Sequence, residues 1–159
     1  MLGTAINVPQ RLFMFDYALA TPGWNHGWDI VLKRSLASLS WFAKFLDGLK
    51  SVLAFCRSKL WRGILVRYVR HSMHKPLIAA AIDAIRVPSV AEWRWGTLWT
   101  AVCNLKPIVH TLGMYFDATL FKTSKDSKKL TLASQCLQSG AWHSQFEFIV
   151  WFTTWICEL

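Results

Sequence analysis

Residues 29–70 read DIVLKRSLASLSWFAKFLDGLKSVLAFCRSKLWRGILVRYVR, and their periodicity decides the fold class. Leu32, Leu36, Leu39, Phe42, Ala43, Leu46 and Leu49 recur three and four residues apart, the spacing of one buried helix face. Asp29 stands where an N-cap belongs, and Gly48 is a place for a kink. The period continues from Leu53 to Arg70. Leu60, Trp61, Ile64, Leu65, Tyr68 and Val69 form a broad apolar face there. Lys59, Arg62 and Arg70 lie opposite it, with Arg67 at the border. Gly63 costs this helix about 1 kcal/mol relative to Ala.

The leucines at 32, 39, 46, 53 and 60 are seven apart, as in a zipper. The other heptad positions disagree. With these leucines at a, the d positions are Ser35, Phe42, Leu49, Cys56 and Gly63, and the e positions Leu36, Lys50 and Arg57 offer no acid to pair across helices. A helix packed in a core is the expected reading.

Charge follows the same stretch. From Lys33 to Lys75 there are ten Lys/Arg and one acid, Asp47, a balance of +9; the rest of the chain holds eight of each and balances to zero. So local a field favours phosphate-bearing partners, nucleic acid first and an anionic membrane surface as the alternative. On the helix Lys59–Arg70, the residues Lys59, Arg62, Arg67, Arg70 and Lys75 are the candidate phosphate contacts. Trp61 and Tyr68 are candidates for stacking on bases or for supporting the helix. The same helix could lie on an anionic bilayer with its apolar face down. Arg62-Gly63-x-x-x-Arg67 matches the second half of the IQ motif that binds calmodulin-like proteins. Arg57-Ser58 stands in place of the Ile-Gln half, so a calmodulin-like partner is not expected. His71-x-x-His74 puts two imidazoles on one helix face, but zinc needs three or four ligands. These histidines extend the basic face, and neither metal nor cofactor is expected.

Outward from this stretch, Leu77–Ile85 reads as a short apolar helix behind Pro76, ending before Pro88. Ser89-Val90-Ala91-Glu92 has the form of a capping box. The helix after it carries Trp95, Leu98, Trp99 and Val102 on one face and should stop before Pro107. In Trp93-Arg94-Trp95, Arg94 could lie on an indole. Pro107 suits the first turn of a further helix to about Lys122, with Gly113 a weak point. The polar stretch 123–129 reads as a linker, and Leu130–Leu137 is ambiguous. In 146–153, Phe146, Phe148, Val150 and Phe152 alternate with Glu147, Ile149, Trp151 and Thr153, and this aromatic and β-branched density suits a strand, although the length also allows a buried helix. The apolar run stops two residues before the terminus, as in a fragment or a decayed reading frame. At the other end Pro9, Pro22, Gly23 and Gly27 make 1–28 irregular, with a turn at Gly23–Trp28.

Composition sets the remaining bounds. The chain has 159 residues, 53% of them hydrophobic and 17% charged, with ten Trp and ten Phe. Apolar content this high argues against disorder, and so many rings furnish a core. The cysteines at 56, 103, 136 and 157 form no Cys-x-x-Cys, which points to free thiols in a reducing, intracellular compartment. No secretory signal and no transmembrane span is evident. Cys103 with His110, or His26 with Asp29, could be imagined as reactive pairs. The chain lacks a Gly-rich phosphate loop, a Gly-x-Ser-x-Gly turn and paired carboxylates, so an enzyme is not expected.

The expected fold is mainly α: four to five helices in an irregular small bundle, with a possibly extended C-terminal segment. Its parts would be an irregular segment 1–28, a helical domain 29–122, a polar linker 123–129 and an apolar segment 130–159. The expected function is non-enzymatic polyanion binding.

Overall fold

The mainly α class holds, with more helices than the sequence reading expected. A computed structural model of the chain describes residues 24–87, 95–117, 120 and 127–158. Among these residues there are seven helices and no strand. They are α1 (Trp24–Ala37), α2 (Phe42–Arg57), α3 (Lys59–His71), α4 (Pro76–Ala84), α5 (Trp95–Tyr115), α6 (Ser127–Gln138) and α7 (Gly140–Glu158).

The long periodic stretch becomes three helices, and serines make both breaks. Ser38 donates its hydroxyl to the Ser35 carbonyl (2.7 Å), and tight backbone turns from Leu39 to Leu36 and from Phe42 to Leu39 end α1 and start α2. A serine hydroxyl can compete for the backbone in this way and so favours helix ends. Ser58 is extended (φ −72°, ψ 112°) and caps α3, its hydroxyl accepting from the Trp61 amide at 3.4 Å. The Asp29 N-cap is corrected: α1 already begins at Trp24, so the expected turn at 24–28 is helical too. Asp29 sits within α1 and pairs with Lys33, one turn on, at 3.0 Å.

Helix α2 runs unbroken through Gly48. Glycine is there for close approach: a Cβ would collide with Cys136 Sγ and come within 2.9 Å of Trp142 Nε1. That contact seats α6 and the start of α7 against α2. Around it Phe45 stacks on Trp142 (5.6 Å between centroids), Trp142 on Phe146 (5.5 Å), and Trp41 meets Phe45 and Phe148 edge-on. Gly113 plays a similar part in α5, where a Cβ would strike the Leu137 carbonyl oxygen.

Two further expectations are corrected. Helix α5 does not stop before Pro107 but continues through it to Tyr115. Pro107 is exposed, so the carbonyl it leaves without a donor can turn to water, while Leu105, Ile108, Val109 and Leu112 hold both halves in the core. The possibly extended C-terminal segment is helix α7, and the ambiguous stretch before it is helix α6. Trp142, Phe146, Ile149, Val150 and Thr153 share one helix face, and all are buried. Both helices contribute to the same core cluster as α2 and α5. Helix α6 starts at Ser127, inside the stretch read as a linker; that stretch's residues 123–126, the capping box at 89–92, Trp93-Arg94 and the segment 1–23 lie outside the described residues.

Candidate functional site

Helix α3 forms a hairpin with α4, and α3 with the turn after it presents the basic surface. The inner face of α3 is committed to the core: Trp61, Leu65, Val66 and Val69 are buried, and Ile64 and Tyr68 pack against the cluster half-buried. Trp61 is therefore not available to stack on a base. Both rings support the helix from within.

Arg62 is the second residue that the structure turns inward. Its guanidinium donates to the carbonyls of Cys56 (3.2 Å) and Ile85 (3.0 Å), and its Nε lies 3.8 Å from Asp83 Oδ1. The side chain is only 13% exposed. It ties the last turn of α2 to the end of α4, and its charge lies where both helices present carbonyls. Burial pushes the neighbouring Cys56 thiol up to about 12, and the Arg62 charge pulls the other way.

What remains outside is a row of cations. Lys59, Arg67, Arg70 and Lys75 are exposed, as are His71 and His74. At 100° per residue, Lys59, Arg67 and Arg70 fall within about 80° of arc on α3. Gly63 lies between them, and a Cβ there would meet nothing within 4 Å. No Asp or Glu occurs from Gly48 to Ile82. Among the described residues the close contacts of basic with acidic side chains are Lys33–Asp29, Arg62–Asp83 and His110–Glu147, none of which uses this row.

The zipper positions are dispersed. Leu32, Leu46 and Leu53 are buried, Leu39 packs against the core, and Leu60 is 67% exposed. No group of three or more His, Cys, Asp or Glu that could hold a metal occurs among the described residues. Cys56, Cys103 and Cys136 are free thiols. Burial also raises the Cys136 thiol, against a smaller opposite pull from Lys44. No helix among the described residues is long and apolar enough to cross a membrane.

Comparison with protein-family models, curated proteins and solved structures gives no match for this chain.

The sequence reading missed one polar cluster. His110 of α5 meets α7, where its ring stacks on His143 (4.7 Å between centroids) and its Nε2 lies 3.4 Å from Glu147 Oε1. His143 Nε2 donates to the Leu137 carbonyl at 2.8 Å, and its Nδ1 is buried without a hydrogen bond. The i, i+4 spacing of His143 and Glu147 was a readable signal; the arrival of His110 was not. A groove of about 240 Å³ at the α2–α6–α7 junction, walled by Trp41, Phe45 and Trp142 with Lys44 and Gln145 among its polar residues, was equally hidden.

Proposed function

We propose that the protein is a non-enzymatic module that binds phosphate-rich polyanions through the outer face of α3 and the turn after it. One observation carries this reading: Lys59, Arg67, Arg70 and Lys75 are exposed and paired with no carboxylate among the described residues, in a stretch free of acids. A surface serving only solubility usually intersperses both signs. Binding is chiefly by charge, since Trp61 is buried and Tyr68 is half-buried against the core.

The test is a titration with duplex DNA as the polyanion probe. Four phosphate contacts give a slope of log affinity against log salt of roughly −3 to −4, so affinity falls about a hundredfold between about 50 and 200 mM salt. Two duplexes of unrelated sequence bind alike. Salt-independent binding, or strong preference for one duplex, overturns the reading.

A further inference from the structure

The corner between α3 and α4 carries more than charge. Residues 70–77, Arg-His-Ser-Met-His-Lys-Pro-Leu, are eight consecutive exposed positions. Within them Leu77 is 84% exposed and Met73 38%, beside Arg70, His71, His74 and Lys75. Leu77 has the greatest exposure of any large apolar side chain among the described residues.

The corner is also preformed. The Ser72 and Met73 amides both donate to the Tyr68 carbonyl (2.8 and 3.2 Å), and the Lys75 amide donates to that of Val69 (3.1 Å). His74 turns the chain with φ 52°, in the left-handed region where Asn, Asp and His are the most favoured residues after Gly. Pro76 then fixes the first turn of α4, directly before Leu77. Little ordering is left for a partner to impose.

We propose that this corner is a shallow wedge for an anionic lipid bilayer, with Met73 and Leu77 entering the interface while Arg70 and Lys75 meet lipid phosphates. This rests on the polyanion reading above and names its partner. A nucleic-acid backbone satisfies the cations but leaves both apolar side chains in water, whereas an anionic bilayer takes up both kinds of group. The mode differs from a helix lying apolar face down, because the apolar face of α3 is already spent on the core.

The experiment is co-sedimentation of the full chain with vesicles of phosphatidylserine and phosphatidylcholine, with pure phosphatidylcholine vesicles and duplex DNA as parallel arms. The expected result is binding to the mixed vesicles and weak or no binding to pure phosphatidylcholine. Met73→Gln with Leu77→Gln, both at exposed positions, should lower vesicle affinity about tenfold or more and leave DNA affinity within twofold. Arg70→Gln with Lys75→Gln should lower both. DNA binding without vesicle binding overturns the wedge and leaves the polyanion reading standing; binding to neither overturns both. Vesicle affinity unchanged in the Met73/Leu77 variant overturns the wedge alone.

Discussion

The junction of α2, α6 and α7 and the hairpin of α3 and α4 treat their surroundings in opposite ways. At the junction, rings interlock around Gly48, and Phe45 is 1% exposed, Phe146 0% and Trp142 5%. In the hairpin α3 gives its apolar face to the core, while α4 buries only Ala79 and Ile82 and leaves Leu77 outside. Arg62 shows how a cation looks when the fold needs it: three short or near contacts and little exposure. Lys59, Arg67, Arg70 and Lys75 lack every one of those marks. The difference separates charge that holds the structure from charge that faces a partner.

The strongest challenge to this contrast is truncation at the junction. Phe45→Ala removes a ring packed against Trp41, Phe42 and Trp142 and should cost about 3–5 kcal/mol in a chemical denaturation experiment. A loss under 1 kcal/mol would mean that the junction is not packed as described. Arg62→Ala comes next. It removes two charge-assisted hydrogen bonds, leaving the part-buried Cys56 carbonyl without this donor while Ile85 keeps Arg86 Nη1 at 3.1 Å, and should cost about 2 kcal/mol by the same measurement. A neutral result would place Arg62 with the outer cations.

Alkaline pH probes the same spot. Cys56 is raised in the folded chain from an ordinary 9.0 to about 12. Its burial as a thiol therefore stabilises fully below pH 9 and is lost as pH rises through the folded value, because the unfolded chain ionises first. Denaturation midpoints should fall more steeply above pH 9 in the parent chain than in Cys56→Val. Equal slopes would show Cys56 to be accessible in the folded state. The smallest effect expected lies on the outer face, where Gly63→Ala adds a methyl into open space and should raise stability by about 1 kcal/mol.

Much of the helical content was legible because leucines and aromatic rings at three- and four-residue spacing fix a buried face whatever packs on it. The breaks at Ser38 and Ser58 were carried by local chemistry, and an Asx/Ser-type cap reading of Ser58 would have found the second. Alternation in α7 misled because aromatic density lets a run of rings satisfy periods of 2 and 3.6 together; only the presence of α2, α5 and α6 around Trp142 and Phe146 decides between them. The inward turn of Arg62 was illegible for a different reason. It depends on the Ile85 carbonyl, 23 residues away, arriving beside α3. By contrast, the outer cations could be read in advance, since Lys59, Arg67 and Arg70 follow from the helix period alone.

The most direct test replaces Lys59, Arg67 and Arg70 with Gln together and measures both a denaturation curve and the salt dependence of duplex binding. Each exposed change should move stability by no more than about 0.5 kcal/mol, while the slope of log affinity against log salt should fall in magnitude by about three. A variant that melts much earlier than the parent, or that keeps the parent slope, would contradict the assignment of these charges to a partner.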